Sequence, residues 1–172
     1  VEVTCRRASR IEEVLTISRI ESGSFTLNAA PLDLGALTEK QLALDAELIE
    51  QRQLRLMTQI ESGIMLRGNE SLLSNAIDNV LMNAILYSPA SSVIRVCVGA
   101  RFISVENTGV SIPDEALPQL FTPFYRVEQS RNRKSGGSGL GLYLVKSILQ
   151  LHNADCRMEN TSEGVRFTAR FA

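Results

Sequence analysis

Two layers, a mixed β-sheet with three long helices on one face, form the α+β sandwich that these 172 residues predict. Three observations carry this. Apolar residues recur at helical spacing in three long segments, near 33–51, 69–87 and 139–151. Short strand-like runs lie between and after them, with clear alternation in "VIRVCVG". The last two runs, 155–160 and 164–171, are close enough in sequence to pair as neighbours. A chain of this length suits one domain with a real core, with at most a short added element.

Taken in order, residues 1–20 read as the end of a helix, with Ile11, Val14, Leu15 and Ser18 on one stripe, and "ESGSF" breaks it. Residues 25–32 read as extended. Asp33 can cap a second helix running to about Gln51, whose buried face is marked by Leu34, Leu37, Leu44 and Leu48. Short strands fit 54–60 and 64–67, with a turn at Ser62–Gly63. The segment "GNESLLSNAIDNVLMNAILYSP" is the most regular helix; its apolar pairs recur every four residues and Pro89 ends it. Strands at 93–98 and 101–107 follow. Residues 108–138 are rich in turns and end in a basic run, the third helix starts near Gly139, and two strands close the chain.

Bulk chemistry excludes several classes of partner. Net charge is −1 and pI about 5.9, so no global basic field points to nucleic acid or an anionic membrane. Cys5, Cys97 and Cys156 are scattered, which suits a reducing compartment and argues against disulfides or a zinc site; Cys97 reads as a small buried hydrophobe. No apolar run approaches the roughly 18 residues of a membrane span, and no signal peptide is recognisable. The opening "VEVTCRRASR" carries no methionine, and the expectation is a piece of a longer protein whose membrane anchor lies in the missing part.

Four features could carry chemistry. The run "SGGSGLGLYLVK" crowds glycines ahead of a helix, where free N–H groups and the helix dipole favour an anion. It fits neither the dinucleotide fingerprint, since Leu142 stands at the third glycine, nor a P-loop, since no lysine follows in register. Alone it reads equally as a phosphate cradle or a hinge. Asn75, Asn79 and Asn83 are spaced by four along one helix face; an amide oxygen is a hard neutral ligand suited to Mg²⁺. Asn75 by itself reads as a solvated polar residue. "VENTGVSIP" has the shape of a strand-end loop receiving a flat ligand. "LFTPFYRVEQSRNRK" offers Phe121, Phe124 and Tyr125 as anchors for a loop tipped by Arg126, Arg131, Arg133 and Lys134.

Taken in chain order, the asparagine helix, the strand-end "NTG", the Phe segment with its basic loop and the glycine run resemble the N, G1, F and G2 boxes of the histidine-kinase catalytic and ATP-binding domain, of the Bergerat fold shared with gyrase and related ATPases. The resemblance covers about residues 25–171, and "LTISRIESGSF" resembles the end of the second dimerisation helix. It implies 1–22 as the end of the dimerisation and phosphoacceptor hairpin and 23–172 as the catalytic unit. "FYRVEQSRNRKSGGSGLGLYLVKSILQLH" and "NTSEGVRF" are similar to VanS-like sensors of Gram-positive bacteria. The resemblance implies ATP and Mg²⁺ as cofactors and Asn79 and Asn83 as catalytic residues. Asn83 would hold the metal and Asn79 would face the phosphates. Tyr87 and Arg126 would lie near the nucleotide, and Asn107 with Gly109 would receive adenine. Gly137, Gly139, Leu140 and Gly141 would wrap the phosphates. Three positions depart from the family pattern: Asn107 stands for aspartate, Ser111 for the second glycine of its box, and Leu86 for a basic residue. An amide forfeits charge assistance to adenine, about 1 kcal/mol, so weak nucleotide binding is expected.

Hydrolysing relatives place a glutamate where this chain has Asn79, which cannot serve as a base. A neutral imidazole needs no deprotonation, so a protein histidine is favoured over water as phosphoryl acceptor. His152, the only histidine, reads as a helix-end residue, which leaves the acceptor upstream. The implied partners are the phosphoacceptor domain of the same kinase, a response regulator, and a second copy in the full-length homodimer, with no nucleic acid and no membrane contact by this fragment. The implied place is the cytoplasmic side of a membrane sensor. The alternatives are a non-catalytic signalling module and an ATPase or serine kinase of the same fold.

Overall fold

The computed structural model describes residues 2–127 and 138–172, with side chains described from Ile11 onward. The elements are α1 (Glu2–Glu21), β1 (Ala30–Asp33), α2 (Leu34–Leu44), α3 (Ala46–Gln51), β2 (Arg55–Ile60), β3 (Met65–Gly68), α4 (Glu70–Tyr87), β4 (Val93–Gly99), β5 (Phe102–Thr108), α5 (Gly141–Leu151), β6 (Ala154–Asn160) and β7 (Gly164–Phe171). A 3-10 turn at Leu117–Gln119 lies between β5 and α5.

Five strands form the main sheet in the order β2-β4-β5-β7-β6, with β2 parallel to β4 and the other neighbours antiparallel. The sheet is mixed, and β6 and β7 pair as neighbours, as their sequence separation predicts. The end of the extended segment read at 25–32 and the strand expected at 64–67 form a separate ribbon, β1 antiparallel to β3.

Alternation fixes the two faces of the sheet. Ile94, Val96 and Val98 of β4, Ile103 and Val105 of β5, and Phe167 and Ala169 of β7 are buried. They share one core with Leu34 and Leu37 of α2, Leu73, Ala76, Ile77 and Val80 of α4, and Leu144, Val145 and Ile148 of α5. The opposite face is polar. Register aligns Arg95, Glu106, Arg166 and Glu159 across four strands. Glu106 pairs with Arg166 at 3.0 Å and Arg95 at 3.8 Å, and accepts from the Thr161 hydroxyl at 2.6 Å. Burial pushes its carboxyl up, but Thr161 and the two arginines outweigh that and hold it below the usual range. Cys97 lies on this polar face and is only half-buried, because the odd positions of β4 point away from the helices.

The expected second helix is broken at Asp45, giving α2 and α3. The Asp33 carboxylate caps α2 by accepting from Gly35 and Ala36 at 2.9 and 3.2 Å. Leu44, expected inside, is the last residue of α2 and is 71% exposed. Asp45 is buried with Oδ2 unpartnered among the described residues. Burial, then the charge of Asp78 on α4, push its carboxyl up to about 6. On α1, Ile17 joins the core while Ile11, Val14 and Leu15 are exposed. The helix lies along α5, where the Tyr143 hydroxyl donates to Glu21 and the Ser138 hydroxyl to Glu13 at 3.0 Å.

Candidate nucleotide site

Helix α4 forms where predicted, and its ends explain why. Asn69 caps it by accepting from the Leu72 amide at 3.0 Å, and Ser88 ends it just before Pro89. Its apolar stripe from Leu72 to Ile85 is buried, while Asn75, Asn79 and Asn83 lie half-buried along the border. The Asn79 amide nitrogen donates to the Asn75 carbonyl at 3.0 Å and to its Oδ1 at 2.8 Å. This orients Asn79 and turns its oxygen the other way. Asn75, read from sequence as a solvated residue, is thus the group that positions Asn79; the four-residue spacing was the signal for it. The Asn83 amide makes no hydrogen bond among the described residues.

The oxygen of Asn79 meets the start of α5: a β-carbon on Gly141 would come within 2.7 Å of it. Helix α5 begins at Gly141 with Leu140 as N-cap, and no side chain caps its first turn. The Ser138 hydroxyl is engaged one residue earlier, accepting from the Leu140 amide at 3.1 Å. First-turn N–H groups next to the Asn79 amide suit a phosphate. The Leu140 side chain is buried, so only its backbone is available to a ligand.

Strand β5 delivers the third asparagine. Asn107 follows Ile103 and Val105 on the helix-facing side and is 8% exposed, with no hydrogen bond to its amide among the described residues. Gly109, at φ +78°, donates to the Glu163 carbonyl at 2.8 Å and stands beside Pro89, which brings the ends of β5 and α4 together. Tyr87, the last residue of α4, is half-exposed, and so is Leu86, whose carbonyl accepts from Arg52 at 3.1 Å. Ser111 is exposed, and Asn160 pins the next residue by bonds in both directions to the Ile112 backbone.

The two described ends of the turn-rich segment touch. The Phe124 amide donates to the Gly139 carbonyl at 2.9 Å, both residues having positive φ. Of the expected aromatic anchors, Phe121 packs on Phe167 with ring centroids 6.4 Å apart, whereas the Phe124 ring is 70% exposed because its left-handed backbone turns it outward. Arg126 is exposed. Gly137, with Arg131, Arg133 and Lys134, lies outside the described residues. His152 is far from free: Nε2 accepts from the Asn69 amide at 3.0 Å and Nδ1 lies 2.7 Å from the Ile148 carbonyl. Among the described residues no group of three or more acidic, histidine or cysteine side chains could hold a metal, and no helix is long and apolar enough to cross a membrane. A metal here would take amide and phosphate oxygens.

Comparison with known proteins gives the family and the fold. The chain is 36% identical over 97% of its length to the sensor protein VanSB of Enterococcus faecalis, spanning 38% of that protein. It is 32% identical over 97% of its length to the sensor histidine kinase CusS of Escherichia coli, spanning 35% of it. The histidine kinase AdeS of Acinetobacter baumannii has the same fold, with a TM-score of 0.75 at 24% identity over 94% of this chain and 76% of that one. Residues 68–172, which hold every feature of the site, match the family model of the histidine kinase-, DNA gyrase B- and HSP90-like ATPases, and the chain belongs to that family.

Proposed function

We propose that this chain is the ATP-binding kinase unit of a sensor histidine kinase, passing the γ-phosphoryl group of ATP to a histidine on a dimerisation domain for relay to a response regulator. The observation that carries the reading is the meeting of Asn79 on α4 with the uncapped start of α5 at Gly141. Residues 1–22 are then the end of the second dimerisation helix, 23–172 the catalytic unit, and the unit works on the cytoplasmic side of a membrane sensor. Full-length copies pair through that helix hairpin.

Each part has a role suited to its chemistry. Asn107, with Gly109 beside it, accepts from the adenine amino group, and Tyr87 and Arg126 flank the nucleotide. The N–H groups of α5 and the backbone of Gly137, Gly139, Leu140 and Gly141 hold the phosphates. Asn83 ligates Mg²⁺, with Asn79 toward the phosphates; the metal, when bound, neutralises phosphate charge. An imidazole nitrogen forms its bond to the γ-phosphorus as the bond to the β–γ bridging oxygen breaks, and ADP leaves. Asn79 offers no base for water, which keeps hydrolysis slow.

Calorimetric titration of ATP with and without Mg²⁺ tests this. Wild type should bind with Mg²⁺-dependent affinity, and Asn83→Ala should lose at least about tenfold together with that dependence. The unpaired Asn107 amide and the apolar Leu86 favour one second reading, a relay module without catalysis. No binding by wild type at millimolar ATP would establish it.

A further inference from the structure

The main sheet ends on one side at β2, whose outer edge has no neighbour among the described strands. We propose that this edge pairs antiparallel with the β2 of a second copy of this chain, about a two-fold axis at Thr58, joining two five-stranded sheets into one.

Hydrogen-bond parity defines what the edge presents. The amides of Arg55 and Glu61 donate inward, to the carbonyls of Ser92 at 2.9 Å and Val98 at 3.0 Å. In a parallel ladder the residues with inward groups alternate, so Leu56, Thr58 and Ile60 hold their N–H and C=O groups outward. Antiparallel pairing centred on Thr58 sets Thr58 opposite its own copy and Leu56 opposite Ile60 of the other copy. All of these are outward-bonding residues, and each pair exchanges two hydrogen bonds.

Side chains agree with the same register. Leu56 and Ile60 share the helix side of the sheet, because they align with the buried Ile94 and Val98. They would form an apolar pair on each side of the axis. On the other side Met57 faces Gln59, and Arg55 faces Glu61. Both charged residues are exposed, and neither makes an ion pair among the described residues. A two-fold axis makes each such pair twice. Shifting the register by two residues would set Arg55 opposite Gln59 or Gly63 and lose both ion pairs.

The strand also lacks the usual protection of an edge. It has no proline, lysine or glycine between Arg55 and Glu61, and Leu56 and Met57 are exposed at 38% and 57%. The opposite edge strand, β6, carries Asp155, Arg157 and Glu159 at alternate positions. One edge is guarded by charge along its length; the other keeps charge only at its two ends, with opposite signs.

Sedimentation of this chain over a concentration series up to about 1 mM tests the proposal. The mass should rise from 18.9 kDa toward twice that value. Thr58→Pro, which removes only an outward N–H, should leave a monomer. Arg55→Glu should weaken association at least about tenfold, and the double exchange Arg55→Glu with Glu61→Arg should restore it. Amide exchange should slow with concentration at Leu56, Thr58 and Ile60 and not at the inward residues. A chain that stays monomeric throughout overturns the proposal. So does a dimer that survives both Thr58→Pro and Arg55→Glu, or one abolished instead by Leu15→Glu on the exposed stripe of α1. Should Thr58→Pro fail to fold, the charge exchange decides alone.

Discussion

The side-chain oxygen of Asn79 lies 2.7 Å from where a β-carbon on Gly141 would sit, so α4 and α5 approach only because residue 141 has no side chain. Asn79 cannot swing away cheaply, since its nitrogen is held twice by Asn75. Gly141→Ala therefore displaces the Asn79 amide. In the first turn of α5 the same change gains helix propensity, up to about 1 kcal/mol, against a hydrogen-bond loss of similar size. The expected outcome is a melting temperature nearly unchanged and an ATP affinity reduced at least about tenfold, read by circular dichroism and calorimetry. A variant that binds ATP like wild type would show that Asn79 does not face the phosphates.

Asn107→Asp should separate affinity from stability. The residue is 8% exposed and its amide has no partner among the described residues, so a carboxylate there is desolvated without compensation in the free chain. Charge assistance to the adenine amino group would return about 1 kcal/mol once nucleotide binds. The variant should melt at a lower temperature without ATP and bind ATP about fivefold more tightly. Weaker binding with a normal melting temperature would place adenine elsewhere.

Much of this arrangement could be read from the sequence because local chemistry decided it. The four-residue rhythm of α4 with its Pro89 stop and the alternation of β4 each specify an element without help from distant residues. Gly109 and Gly139 occupy the positive-φ positions that their turns demand. What escaped depends on tertiary contact. The apolar rhythm of 34–48 runs straight across Asp45, and nothing local shows the break that leaves Leu44 outside. The ribbon of β1 and β3 joins strands about 35 residues apart, a pairing that periodicity cannot specify. Phe124 looked like an anchor because it is aromatic, yet its backbone conformation sends the ring into solvent. The service of Asn75 to Asn79 needed only the helical spacing, and was there to be read.

Asp45 makes stability fall as pH rises. Its carboxyl is held up at about 6 in the fold against an ordinary value of 3.8, by burial first and Asp78 second. A raised carboxyl favours the protonated form in the native state, so its contribution is whole below about 3.8 and is lost as pH rises through about 6. The shift corresponds to a penalty of about 3 kcal/mol at pH 7. Asp45→Asn keeps the shape and removes the charge. It should raise stability at pH 7 by about 1–3 kcal/mol and flatten the dependence between pH 4 and 6, measured by urea unfolding across that range. A loss of stability at pH 7 would mean that the carboxylate has a partner in solution.

His152 should matter to folding and not to phosphorylation. Its ring joins the end of α5 to the start of α4, accepting from the Asn69 amide while its other nitrogen faces the Ile148 carbonyl, and it is 8% exposed. Neither nitrogen keeps an accessible lone pair with which to attack phosphorus. His152→Ala leaves the Asn69 amide without its acceptor and opens a cavity beside Gly68, a cost of about 2–3 kcal/mol. Incubated with γ-labelled ATP, wild type and the variant should alike retain no acid-labile label, while the variant unfolds at lower urea. Label held by wild type and absent from a folded variant would make His152 the acceptor. The expected absence in both, followed by transfer when a separate dimerisation domain is supplied, would place the acceptor on that domain.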